Sequence, residues 1–295
     1  MKLILSRKGF DSGCGGCASP VMDDGAMLSL PIPLASAPVR YRDIAWRGET
    51  IAGLVEALTR GKISGSHPAH LDPDLAPGAL ERLAGWRPAF GQVSASQSHL
   101  AAQGVGPGDL FLFFGWFRRA EAHGAAGLRF VPGASNEHVI FGWLQVAEVL
   151  AVDDQQAEHR RRRPWLASHP HLVGHAVKGN TVYIAAERLI LDGRDMGVPG
   201  GGAFARYGDA LRLTSGLDGR SHWRLPGWLH PARQTSLSYH TDPRKWIDES
   251  DTCLLDSVKQ GQEFVAAVPD ALVASWMDAL LPPLPCRVDA APQHG

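Results

Sequence analysis

The chain opens on the apolar run Leu3-Ile4-Leu5 and breaks into the polar stretch SRKGFDSGCGGCASP, residues 6–20. That switch predicts a first strand ending in a glycine-rich turn. AMLSLPIP, closed by prolines, predicts a second strand. In TIAGLVEALTRGK, Ile51, Leu54, Val55 and Leu58 recur at helical spacing, with Thr50 as N-cap and Gly61 as stop. A shorter helix is expected at ALERLAGW, near residue 80. Two runs dominate the middle, GVGPGDLFLFFGWFRRAE over 104–121 and EHVIFGWLQVAEVLAVD over 137–153. Their aromatic and β-branched content predicts strands. FLFFGWF is apolar at nearly every position, so it should be buried on both faces or line a pocket. The pairs Gly115-Trp116 and Gly142-Trp143 point to a bulge or a close backbone approach. NTVYIAAERLIL reads as one further strand, and VPGGGAFARYGDALRLT as a glycine-rich loop with a short element after it. DALVASWMDALL predicts a final helix with Leu272, Trp276, Ala279 and Leu280 on one face, and residues 286–295 read as a disordered tail.

Composition narrows the class. With 33 Gly and 21 Pro in 295 residues, long helices are disfavoured, since these residues cost about 1 and 3 kcal/mol in a helix interior. No repeat or long linker interrupts the pattern. The expectation is a single strand-rich α+β domain over residues 1–285, with long structured loops and a few peripheral helices. The net charge of −1 does not mark the whole molecule as a polyanion binder. A nucleic-acid contact would need a local patch, and Arg160–Arg163, running into Pro164-Trp165, is the candidate, a solvated loop being the alternative. No apolar run approaches the ~20 residues of a membrane span. No signal-peptide pattern is seen, and the four cysteines do not form a disulfide framework. A cytoplasmic protein without membrane partners is expected.

Four constellations carry candidate chemistry. In HPAHLDPDL, His70-x-Asp72 can bring one imidazole and one carboxylate to the same ion. A distant histidine would complete a two-His-one-carboxylate face of the kind that holds non-heme iron, and His240, at the end of LSYH, is the expected third ligand and catalytic partner. SHPHLVGH offers an alternative set, His169, His171 and His175, suited to Zn or Fe. In the opening stretch, Arg7, Lys8, Asp11 and Ser12 form an expected anion-holding turn. Cys14-x-x-Cys17 lacks the second pair of a zinc site and the helix N-terminus of a redox pair. Finally, some of Trp116, Phe117, Trp143, Trp223 and Trp228 should form a stacking pocket for a flat ligand. No G-x-S-x-G and no H-E-x-x-H occurs.

The segment GVGPGDLFLFF…HVIFGWLQVAEV resembles PUA-like barrels of the EVE and ASCH type, which implies a PUA-like β-barrel core at about residues 100–215 with an aromatic pocket for modified bases. A longer set is similar to the bacterial and phage nucleotide modification associated domain of type three: SRKGFDS, LSLPIP, AHLDPDL, FGQ, QGVGPGDLFLFFGWFR, HVIFGWLQV, HPH, LSYH and GQEFV. Residues matching that pattern are Arg7, Lys8, Asp11, Ser12, His70, Asp72, Asp74, Gln92, His99, Trp116, Arg118, His138, Trp143, His169, His171 and His240. The resemblance implies a setting in which modified DNA bases are made or handled, with ligand contacts from the opening loop, Trp116, Arg118 and Trp143. Two readings follow. One is a metal-dependent enzyme, with Fe or Zn, acting on a nucleotide, base or related small substrate. The alternative is a non-catalytic reader of modified bases in nucleic acid.

Overall fold

The computed structural model describes residues 1–281 apart from 125–126, 154, 174–176, 217–218, 234–235 and 259–262. The expected tail and His175 lie outside the described residues. A nine-stranded sheet organises the chain. Its strands are β1 (Lys2–Arg7), β2 (Ser19–Val21), β3 (Ala89–Gln92), β4 (Leu110–Ala122), β5 (Leu128–Phe130), β6 (Glu137–Ala151), β7 (Thr181–Ala185), β8 (Gly201–Ala203) and β9 (Glu263–Ala267). The order is β9-β1-β4-β6-β7-β3, with β2 and β5 pairing on β4 and β8 on β6. The β1–β4 pair is parallel, and β4–β6 is antiparallel. The described helices are α1 (Ala52–Leu58), α2 (Ser94–Ala102), α3 (Gln156–Arg162) and α4 (Asp270–Leu280). The class is therefore α+β, as expected.

The two aromatic runs form the central pair β4 and β6. Phe111, Phe113, Phe114 and Phe117 are fully buried, so β4 is covered on both faces and each ring contributes roughly 1.5–3 kcal/mol of transfer free energy. Both glycine–tryptophan pairs mark close approaches. A Cβ on Gly115 would lie 2.7 Å from the Lys8 carbonyl oxygen, and one on Gly142 would lie 2.8 Å from that of Gly202. The β4–β6 register slips between Ile140 and Gly142, a bulge at the expected place.

Other expectations are corrected. AMLSLPIP is not one strand. Ala26 and Met27 make isolated bridges, and only Ile32–Pro33 is extended in a ladder, paired with Pro68–His70. Its backbone groups are satisfied locally instead: Leu30 N–H donates to Ser19 Oγ and Leu30 C=O accepts from Phe10 N–H. ALERLAGW holds no α-helix; a single 3₁₀ turn, Pro77–Ala79, ends on its first residue. NTVYIAAERLIL divides into β7 and Arg188–Leu191. The buried face of α4 is Val273, Met277 and Leu280 with Ala274, rotated from the expected one.

The PUA-like barrel is not found. β9 and β3 end the strand order, and no ladder among the described residues joins them. The sheet instead rolls until the side chains of these two edges meet, with Gln92 Nε2 donating to Glu263 Oε1 at 2.6 Å. The candidate site lies against this seam.

Candidate metal centre and ligand cavity

Asp72 leaves the short strand Pro68–His70 and enters the edge of the sheet. Its Oδ1 accepts the Gly91 N–H of β3 at 2.8 Å, and His169 Nε2 lies 3.4 Å from the same oxygen. Oδ2 faces two other imidazoles, His171 Nε2 at 3.4 Å and His70 Nε2 at 3.7 Å. His70, Asp72 and His171 can each turn a ligand atom to within 4.8 Å of the others, and theirs is the only such group among the described residues.

The surrounding bonds fix which atoms these side chains present. The Asn180 amide donates from Nδ2 to the His171 carbonyl, which leaves its Oδ1 to accept His171 Nδ1–H at 2.7 Å. In the neutral ring, His171 Nε2 therefore carries a lone pair toward Asp72. A carboxylate oxygen and an imidazole lone pair this close repel unless a proton or a cation lies between them. The electrostatics follow. Burial alone would raise the Asp72 carboxyl, but the contacts with His169, His171 and His70 more than offset it and hold it well below the usual carboxylate range. Burial would lower His171, yet the Asp72 and Asn180 contacts raise it above its ordinary value.

The donor set suits a metal. The 3.4 and 3.7 Å separations are close to the ~3.4 Å edge of a tetrahedron whose bonds are about 2.1 Å. His169 accepts the His171 N–H at Nδ1, so its Nε2 carries the proton facing Asp72; it supports the carboxylate and offers no lone pair. Gly91 is required beneath the ring, since a Cβ there would come 2.1 Å from His171 Cδ2.

His70, Asp72, Gly91 and His171 border a cavity of about 300 Å³. The opening loop forms its other wall. Arg7, at the end of β1, and Lys8, Asp11 and Cys14 all line it, with Gln92, Trp116, His138 and Arg220. Lys8 Nζ is held at 2.9 Å by Glu263 Oε1, which also accepts from Gln92, and it lies 4.6 Å over the Phe90 ring. Asp11 caps its own turn, accepting the Gly13 and Cys14 N–H groups. Trp116 is fixed by donation to Asn136 Oδ1, and the Arg220 guanidinium stacks 4.3 Å over its ring.

A family model described as Nucleotide modification associated domain 3 matches residues 2–267. The chain belongs to this family. Membership associates it with nucleotide modification, and the matched span contains every residue that lines the cavity. No curated protein and no solved structure matches the chain. No described helix is long and apolar enough to cross a membrane.

Within this nucleotide modification associated domain, the expected residues divide. His70, Asp72, Arg7, Lys8, Asp11 and Trp116 come together at one cavity with His171. His240 does not join His70 and Asp72: its Nε2 accepts the Val258 N–H at 3.1 Å and its Nδ1 lies 3.1 Å from the Ser238 carbonyl, so both ring nitrogens are taken. Ser12 is exposed and does not line the cavity. Arg118 donates to the Val131 carbonyl and lies over Phe130, and Trp143 donates to the Pro199 carbonyl beside Phe204. Neither lines this cavity. Of the arginine run, Arg160 donates to the Leu172 carbonyl, Arg161 and Arg162 pair with Glu158, and Arg163 pairs with Glu148. Cys14 is exposed at the cavity, and the Cys17 thiol is pushed up by burial to about 11, so neither has the lowered pKa of a reactive thiol. Sequence reasoning missed Arg220, Glu263, Asn180 and Gly91. Glu263 sits in the quoted GQEFV, but nothing in that motif reveals a partner in the opening loop.

Proposed function

We propose that the protein is a metal-dependent enzyme that acts on a nucleotide, a base or a related small substrate bound in this cavity. The observation that carries the reading is the convergence, on one cavity, of a two-His-one-carboxylate group and the cationic opening loop. His70 Nε2, His171 Nε2 and Asp72 Oδ2 would hold the ion, a donor set suited to Fe(II) or Zn(II). When bound, such an ion supplies Lewis-acid activation of water. The protein's own groups do the rest. Asn180 and His169 orient the ligands, and Gly91 N–H holds the carboxylate in place. Lys8, tethered by Glu263, presents a fixed ammonium beside the ion site. The number of preset titratable groups exceeds what base capture alone requires.

The test is the metal content of untagged protein purified without chelators, read by elemental mass spectrometry for the wild type, His70→Ala and His171→Ala. About one equivalent of iron or zinc, lost in both variants, is the expected result. A wild type that takes up no metal even after incubation with Fe(II) or Zn(II) overturns the enzyme reading. If that protein still shifts modified DNA in a strongly salt-dependent way, it is a reader.

A further inference from the structure

Another cavity, of about 230 Å³, lies behind the segment that carries two of the ion ligands. His70 and Asp72 line the polar cavity, whereas Leu71 and Pro73, the neighbours of Asp72, line this one. The segment is therefore a partition between the two. On the far side of it the walls are apolar. Trp46, Phe141 and Phe204 supply rings, and Met27, Ile44 and Leu75 supply aliphatic surface. Two of the rings are braced by other rings. Phe141 has Phe113 and Phe117 at centroid distances of 6.3 and 6.1 Å, and Phe204 lies 4.9 Å from Trp143. Ala203 and Ala205 also line the cavity and are exposed, so it opens to solvent on their side.

The lining has no partner for a charged guest. Among the described residues that form it, Asp72 alone is charged, and both of its oxygens are engaged across the partition. Oδ1 accepts the Gly91 N–H and faces His169, and Oδ2 faces His171 and His70. Arg47 lies 5.5 Å over the Trp46 ring but does not line the cavity, and its charge pairs with Asp24 at 2.8 Å. An ion placed here would lose its water and gain no counter-charge. Of the remaining lining side chains, Ser29 and Trp46 are the ones with a hydrogen-bonding atom.

We infer that this cavity is a binding site, separate from the metal centre, for a small neutral molecule with a flat apolar ring of about the size of indole. Protein interiors are close-packed, and a void of this size with an apolar lining is out of the ordinary. An engineered apolar cavity of about 150 Å³ in another protein stays dry and takes up benzene. The larger volume here admits one or two fused rings. Three aromatic walls favour a ring over an alkyl chain, through edge and offset contacts. Bound there, the ring packs against Leu71 and Pro73, on the back of the segment that holds His70 and Asp72 in place.

The experiment is calorimetric titration of the full chain with indole, indole-3-acetate and tryptamine. It is run on chelator-treated protein, so the result does not depend on whether the centre holds an ion. Indole should bind with a Kd below about 1 mM and with a negative heat-capacity change, the mark of apolar burial. The anionic and cationic relatives should bind at least about tenfold more weakly. Ala205→Trp, at the exposed side, and Ala45→Leu, in the opposite wall, should each fill the space and weaken indole at least about tenfold. Both variants should take up metal as the wild type does. No indole binding at millimolar concentration would overturn the inference. So would equal binding of the charged relatives, or an indole affinity that survives both substitutions. Loss of metal uptake in both variants, from a wild type that binds metal, would overturn the separateness of the two sites.

Discussion

Glu263 buries a carboxylate in the sheet, and a buried charge is costly unless it is paired. The Lys8 and Glu263 side chains are 10% and 1% exposed, and Glu263 Oε2 has no hydrogen-bond partner among the described residues. Removing the ammonium leaves a buried carboxylate unpaired, which is far costlier than removing both charges together. Lys8→Met should therefore lower stability by roughly 3 kcal/mol, and the double variant with Glu263→Gln should recover much of it. Urea unfolding of the two singles and the double checks this, and additive losses would show that the pair is not coupled. The same scale shows how far the sequence speaks. His70 and Asp72 are legible as a pair because only Leu71 separates them. His171 is legible as one of a histidine group, but not as their partner, because the fold and not the spacing brings the 3₁₀ turn Pro170–Leu172 to the edge of β3. His240 carries the same sequence signal as His171. What separates them is the partner of each nitrogen: an amide that leaves Nε2 open in one case, a backbone N–H that closes it in the other.

The strands whose local pattern agreed with their burial were read correctly. β4 and β6 are the clearest, since their aromatic and β-branched density matches burial on both faces. α1 was also legible from its spacing, although Ile51, not Thr50, occupies the N-cap. α4 was legible as a helix but not by face. Apolar residues lie nearly all round it, and Trp276 is drawn partly out of the core to meet Trp228 edge-on at 6.0 Å, so periodicity had no single stripe to choose. At this scale the bulge in β6 makes a prediction. Gly142 packs where a side chain would strike Leu75 and the β8 backbone, with a Cβ 2.4 Å from Leu75 Cδ1. Gly142→Val should cost roughly 2 kcal/mol or more as an overpacked core position, read as a lowered urea midpoint, whereas an unchanged midpoint would mean that β8 is free to lift off β6.

At the scale of the whole molecule, the meeting of the sheet's two edge strands was beyond the sequence. The two edges meet through one amide and one carboxylate 171 positions apart in the chain, and no run of residues announces that contact. The open order also leaves β3 with an outer edge, and there the metal centre has a second consequence. The Ala89 N–H and C=O are engaged by Asp74, and the Gly91 N–H by the Asp72 carboxylate, so β3 presents few unsatisfied groups to another chain. Asp72 thus acts as an edge guard of the kind that keeps sheets from adding foreign strands. Asp72→Ala should associate with increasing protein concentration, by static light scattering, while His171→Ala, which also removes an ion ligand but keeps the Gly91 bond, should remain dispersed. Equal behaviour of the two would separate chemistry from colloidal stability at this carboxylate. If the difference is seen, solubility and metal binding are tied to the same two oxygens, and a lineage that abandoned the chemistry would still be held to an acidic residue at this position.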